Sequence, residues 1–293
     1  MKSKFYFCRP YFEPKIWAGT NLANYFSLNF NAGEAWLISA VAGKESLVDG
    51  VILSQFYQEN KEFFGNYESE IFPNLHKIID AKEHLSIQVH PDDNYAKKYN
   101  SKGKDECWLV LNNPVHPFLI GLQEKYVTNF DLTNKIVGQL NKIWLQKEDF
   151  CYIPAGLIHA IPSSALVYEL QQSSDITFRI YDYERKDSKG NLREVHTQES
   201  RDTIKFNLQP KVVQNQEQLV QNQYFNLSKI SFENVWDLMP KSNVFWYEIV
   251  IIDGSGTIDG KPFKTYDAIL VTGNLKQKIQ FKGKATLTIN EVI

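Results

Sequence analysis

Cysteine is scarce in this chain: Cys8, Cys107 and Cys151 are the only three among 293 residues. A sparse, odd-numbered set with no CxxC spacing excludes a disulfide framework and a cysteine-built zinc site. It suits a reducing compartment, so a cytoplasmic location is expected. Net charge is lacking too, since 32 Lys and Arg are interspersed with 34 Asp and Glu. No basic stripe exists to meet nucleic-acid phosphates. The opening MKSKFYFCRPYFEPKIW has basic residues but no continuous apolar run behind them, and no such run occurs elsewhere. Neither a signal peptide nor a membrane span is expected, and the chain reads as soluble. GxxxxGK[ST] and a strand-linked GxGxxG are also missing. The glycine-rich DGSGTIDG, Asp253 to Gly260, reads as a hairpin turn between strands.

What is present is core-forming material. Hydrophobic residues make up 43 % of the chain and aromatics 14 %, enough for one large domain or two ordinary ones. Phe and Tyr are scattered between polar positions, which favours strands. Strands are expected at EAWLISAV (Glu34 to Val41), HLSIQVH (His84 to His90), ECWLVL, PFLIGL, DFCYIP, LVYELQQ and ITFRIYDY. Leu53 to Asn66 changes to a helical order, and Asp93 is expected to cap a short helix carrying Tyr95, Ala96 and Tyr99. Val127 to Trp144, apolar at Phe130, Ile136, Leu140 and Ile143, reads as a helical insertion. Many short strands separated by turn signals indicate an all-β sandwich or barrel rather than βαβ units. Gln209 to Gln223 contains six glutamines and no clean period, so it reads as an exposed linker. The expected organisation is a catalytic domain over 1–208, a linker over 209–223 and a smaller C-terminal β domain over 224–293.

Gln88 and His90 are two apart on an expected strand, so both side chains leave by the same face, with Ser86 in the row and Ile87 and Val89 opposite. Glu106 opens a neighbouring strand after the loop SKGKDE. His159 follows another strand and the turn Pro154 to Gly156. Two imidazoles, a carboxylate and an amide oxygen form an N/O ligand set suited to zinc and acceptable to manganese or iron. A lone histidine on an apolar strand reads as a core or rim residue; the pairing of QxH with PxGxxH at strand ends is what points to a metal. His84 shares the strand parity and belongs at the rim, while His76, His116 and His196 default to surface or structural roles.

A second cluster spans Phe178 to His196, FRIYDYERKDSKGNLREVH. Guanidinium forks there suit phosphate. Lys186, Asp187 and Lys189 read as a solvated turn. Arg179 differs because it interrupts an alternating strand, where a charge must be paired or face a cavity.

The blocks EPKIWAG (Glu13 to Gly19), GEAWLIS (Gly33 to Ser39), KIIDAKEHLSIQVHPDDNYA (Lys77 to Ala96), GKDECW (Gly103 to Trp108), YIPAGLIHAI (Tyr152 to Ile161), ELQQSSDITFRIYDYER (Glu169 to Arg185) and GNLREVH occur in one order. In this they resemble the class I mannose-6-phosphate isomerases (phosphomannose isomerases) of the short bacterial type. The resemblance implies a cupin, a jelly-roll barrel with helical insertions, followed by an accessory cupin-like β domain. It implies a zinc-dependent interconversion of mannose 6-phosphate and fructose 6-phosphate through an enediol, with one Zn2+ per chain on Gln88, His90, Glu106 and His159. It places the family's strand arginine at Arg179 and its loop lysine at Lys104. Ala18, Leu157, Ile158 and Phe178 depart from the usual family pattern, and none is an expected ligand.

On this reading Arg179 and the metal hold the O1/O2 side of the open sugar. Ser86, Lys104, Arg179 and Arg193 contact the substrate or its phosphate. The proton-transferring base is open among Glu194, Asp182, His84 and a metal-bound water, with Glu194 placed alongside Arg179 and Lys104 in the catalytic set. The expected partner is a small sugar phosphate, with no nucleic acid and no membrane, and the chain acts as a monomer or homodimer. Two rivals stay open: a metal cupin of another class, such as a dioxygenase or epimerase-like enzyme, and a non-catalytic sugar-binding β protein.

Overall fold

The structure, a computed structural model, describes residues 3–187 and 189–293. It is mostly β, as expected. Strands form sheets of nine, seven and five, and each sheet runs from one edge strand to another without closing on itself. Helices are short, and none among the described residues is long and apolar enough to cross a membrane.

The chain forms two compact units, each built from separated segments. One comprises Phe12–Ala35 and Lys77–Gln214; the other takes the chain up to Tyr11, Trp36–His76 and Asn215–Ile293. The first holds the five-stranded sheet and most of the seven-stranded one, and the second holds the nine-stranded sheet.

In the first unit, period-two alternation sorts side chains cleanly. Ile87 and Val89 of the strand Ile87–Val89 enter an apolar cluster with Leu119, Leu140, Phe178 and Ile180. Ser86, Gln88 and His90 therefore face the other way. On the seven-stranded sheet, Glu106–Val110 sends Trp108 and Val110 into a cluster with Phe118, Ile120, Cys151, Ile153 and Val167. Glu106 shares their parity, at the end of that row.

Several local expectations are corrected. The segment Val127 to Trp144 is not an inserted α-helix. It holds a 3-10 helix, Asn134–Gly138, and then a strand, Leu140–Ile143, antiparallel to Phe118–Leu122. Ile136 and Leu140 are buried in this arrangement and Phe130 and Ile143 half-buried, with Phe118–Leu122 supplying the edge that the strand joins. The short helix at Asp93–Ala96 is capped by Asp92, whose carboxylate accepts from the Tyr95 N–H at 3.0 Å; Asp93 instead receives the Gly103 N–H at 2.8 Å. The helical order after Leu53 ends at Glu59. Within the glutamine-rich stretch, Lys211–Val213 pairs with Phe150–Tyr152 and Gln218–Gln221 with Asn226–Ser228.

A further correction also lies in the second unit. DGSG is not a turn, because Trp246–Ile258 runs through it as one strand with a bulge between Ile251 and Asp253. A Cβ on Gly254 would lie 2.2 Å from the Lys284 carbonyl oxygen and one on Gly256 2.0 Å from that of Lys282. These glycines permit close strand approach, and the chain reverses later, at Asp259 and Gly260.

This unit also buries a complete carboxylate. Glu248 accepts from Asn74 Nδ2 (2.9 Å), His76 Nε2 (2.9 Å), Asn290 Nδ2 (2.7 Å) and Trp246 Nε1 (3.0 Å), and none of its surface is exposed. Removing the acceptor strands four donors in a dry interior. Glu248→Ala is therefore expected to destabilise the protein by about 3–5 kcal/mol, read as a lowered denaturation midpoint.

Candidate metal centre

His90, Glu106 and His159 each offer a ligand atom within 4.8 Å of the others, and all three are buried. Glu106 and His159 lie on separate strands, Glu106–Val110 and His159–Ala160, and His90 directly follows a third, Ile87–Val89. His159 pairs directly with Gln88, and Arg179 lies opposite Gln88 on its other side. Glu106 reaches the same point from the seven-stranded sheet.

Two loops fix this convergence. In the turn Pro154 to Gly156, Gly156 has φ +94° and its N–H donates to the His90 carbonyl at 2.9 Å, tying the two histidine segments together. A Cβ there would lie 2.7 Å from Lys205 Cγ, so glycine is required twice over. Before Glu106, the Lys104 N–H donates to the Pro91 carbonyl at 2.9 Å, and a Cβ on Gly103 would sit 2.5 Å from the Asp93 nitrogen.

The histidine tautomers follow from their outer bonds. His90 Nδ1 donates to the Ile176 carbonyl at 3.0 Å and His159 Nδ1 to the Leu157 carbonyl at 2.8 Å. Each Nε2 therefore turns a lone pair inward. Burial pushes the pKa of both imidazoles down, His90 well below the ordinary histidine range with Lys104 adding to the effect, and His159 to about 4. Both are neutral at pH 7.

The inward lone pairs face a carboxylate. His90 Nε2 is 3.4 Å from Glu106 Oε2 and His159 Nε2 is 3.2 Å from Oε1, and apart from the Lys104 ammonium beside Oε2 neither oxygen has a hydrogen-bond partner. Three acceptors meeting in a dry interior repel one another unless a cation lies between them. The donor set thus fits a divalent metal. Lys104 Nζ, 3.1 Å from both Glu106 Oε2 and His90 Nε2, supplies one positive charge at the edge of this cluster. Gln88 lies beside the group. Its Nε2 lies 3.4 and 3.3 Å from the two histidine Nε2 atoms, while Oε1 accepts from Ser86 Oγ at 3.2 Å. A half-turn of the amide exchanges its ends and aims Oε1 at the centre.

Beside the cluster is a cavity of about 240 Å³. Ser86, Gln88, Lys104, Arg179 and Arg193, all expected at the site, line it. Glu194 does not belong to that lining: it is exposed, and its main-chain carbonyl accepts from Arg179 Nη1 at 2.7 Å. Asp182 is bound to Arg185 and Arg193. His84 Nδ1 accepts from the Ser163 N–H at 3.1 Å.

The cavity also contains charges that sequence reasoning missed: Glu34, Lys77 and Glu169 on strands, with Lys15 and Asp175 nearby. Lys77 Nζ lies 3.9 Å from Glu34 and 3.5 Å from Glu169. Burial alone would lower the Lys77 pKa, but the carboxylates of Glu34, Glu169, Asp175 and Glu106 together raise it. Burial, then the nearby Glu106, pushes the Glu169 pKa up. Trp108 Nε1 donates to Glu169 Oε2 at 3.1 Å, leaving Oε1 without a hydrogen bond. The signal was available, because each interrupts a buried strand as Arg179 does.

A family model for the phosphomannose isomerase type I catalytic domain matches residues 11–113. The mannose-6-phosphate isomerase ManA of Bacillus subtilis is 33 % identical, with 98 % of each chain aligned. A mannose-6-phosphate isomerase of Streptococcus mutans is 38 % identical over 68 % of this chain and 67 % of its own. The crystal structure of the mannose 6-phosphate isomerase from Bacillus subtilis superimposes with a TM-score of 0.88 at 30 % identity, covering 99 % of this chain and 100 % of the other.

Replacing His90 or Glu106 with alanine is expected to weaken metal binding by at least about 100-fold, measured as metal retained after dialysis against a competing chelator. Undiminished retention in both variants would remove the centre.

Proposed function

The chain belongs to the type I phosphomannose isomerases, and from that premise we propose that it interconverts mannose 6-phosphate and fructose 6-phosphate through an enediol, using one zinc ion. The observation that carries this reading is the buried meeting of three lone-pair donors, His90, Glu106 and His159, beside a cavity lined by cations. Gln88 would join them as the fourth ligand. Nitrogen and oxygen donors in this number suit zinc. When bound, the metal supplies Lewis-acid polarisation of the sugar oxygens at C1 and C2.

The remaining work falls to the chain's own groups. Lys104 offers an ammonium where negative charge develops on those oxygens, and burial increases its effect. A base must carry a proton between C1 and C2. Glu194 is exposed and Asp182 is committed to two arginines, whereas Glu169 faces the cavity with a raised pKa, its Oε1 accepting no hydrogen bond and lying 3.5 Å from Lys77 Nζ. We assign the transfer to Glu169, with Trp108 holding its second oxygen still. Ser86 and Gln88 contribute polar wall near the same end.

Arg179 and Arg193 form the anion-binding side. Arg179 has no carboxylate within ion-pair range among the described residues, and its buried Nε lacks a partner. Burial, then the neighbouring Arg193, lowers its pKa, a penalty that an anion bound between them relieves. Three buried free cysteines support a cytoplasmic location.

A coupled assay with mannose 6-phosphate should show turnover that disappears on chelation and returns with zinc. Iron or manganese with oxygen uptake would replace this reading with that of an oxidising cupin. Arg179→Ala and Glu169→Gln should each retain zinc and lose about 100-fold or more in turnover; full activity in either removes the corresponding role.

A further inference from the structure

The strand Phe178–Tyr181 carries Arg179 and ends immediately before Asp182. Tyr183 and Glu184 then take left-handed backbone angles, φ 55° and 56°, which is unusual for two consecutive side-chain-bearing residues, one of them bulky. The turn folds the chain back on Asp182. The Arg185 N–H donates to the Asp182 carbonyl at 3.0 Å and Arg185 Nε to the same oxygen at 3.2 Å. The Arg193 N–H in turn donates to the Arg185 carbonyl at 3.1 Å. Strained angles of this kind persist only where surrounding bonds over-determine them.

Those bonds centre on one carboxylate. Asp182 is 4 % exposed, Arg185 Nη2 occupies its Oδ1, and Arg193 Nη1 donates to Oδ2 at 2.8 Å. The segment after Arg193 returns to the strand through the His196 N–H, which donates to the Arg179 carbonyl at 2.7 Å, while the Arg179 N–H donates to His196 Nδ1 at 3.0 Å. Arg193 is thereby held beside Arg179 on the cavity wall although the two repel.

We propose that Asp182 is a positioning residue that holds the Arg193 guanidinium over the cavity for the phosphate group of the substrate. This rests on the isomerase reading above and adds what orients its anion-binding side. One fork edge of Arg193 is spent on Asp182, and its other donors are preset toward the anion. Preorganisation at a group remote from the reacting carbons acts on substrate binding in the ground and transition states alike, so it moves KM and not kcat.

The test begins with wild-type protein. Absence of mannose 6-phosphate turnover there sinks the isomerase reading, and this proposal with it. Given turnover, Asp182→Asn should raise KM by about 10-fold with kcat within about 3-fold and zinc content unchanged. The inhibition constant of inorganic phosphate should rise by the same factor. Arg193→Ala should behave alike, the double variant should be no worse than Arg193→Ala alone, and Asp182→Glu should recover part of the loss. An unchanged KM, a loss confined to kcat, or full additivity in the double variant overturns the positioning role while leaving the isomerase reading standing. Should Asp182→Asn fail to fold, Arg185→Ala releases the same carboxylate from its outer side; the KM and phosphate inhibition of that variant then decide, and unchanged values overturn the proposal.

Discussion

The arrangement on which the rest depends is a pair of hydrogen bonds pointing away from the centre. Because His90 and His159 spend their Nδ1 protons on the carbonyls of Ile176 and Leu157, their lone pairs must face inward. Inward, they meet the fully buried carboxylate of Glu106. Such a meeting is unfavourable in a low-dielectric interior, and the sheets, turns and glycines around it work to enforce it. Lys104 supplies one positive charge at the edge of this meeting, and a divalent ion among the three groups would relieve the remaining repulsion.

That requirement explains features that look unrelated. Gly156 and Gly103 both lie where a side chain would collide with a neighbouring segment, and both loops pack against the stretch that carries Gln88 and His90. Strand register does the rest, since Gln88 is flanked by His159 on one side and Arg179 on the other. The centre draws on both sheets of its unit, so ion binding couples to cohesion of that unit as well as to chemistry. The Glu248 cluster in the other unit shows the alternative solution, a buried carboxylate satisfied wholly by protein donors. One carboxylate is closed and structural; the other is left open.

Legibility in the sequence tracked how local each cause was. Gln88 and His90 declared themselves because period-two geometry needs only neighbouring residues, and His159 because a proline–glycine turn precedes it. Glu34 and Glu169 were passed over although each is a charge in an expected strand, the very argument that found Arg179, and Lys77 was hidden because its strand, Asn74–Asp80, was not expected. Gly254 and Gly256 misled because glycine marks both turns and close strand contact, and only the position of Lys282 and Lys284 across the sheet separates the two. Leu140 to Ile143 was misread for a similar reason: its partner strand, Phe118 to Leu122, supplies the edge that a sequence window cannot display.

The cavity's charges also divide by how they are balanced. Lys15 and Lys77 are held by Glu34, and Lys77 by Glu169 as well, so that wall is internally neutralised. Arg179 and Arg193 share no such balance, since Asp182 also serves Arg185. Burial acts on both walls in opposite senses, raising the pKa of Glu169 and lowering that of Arg179. A substrate that is anionic at one end and transfers a proton at the other relieves both penalties at once. A neutral sugar would relieve only one, which is why the charge pattern, more than the ligand set, argues for a phosphorylated substrate.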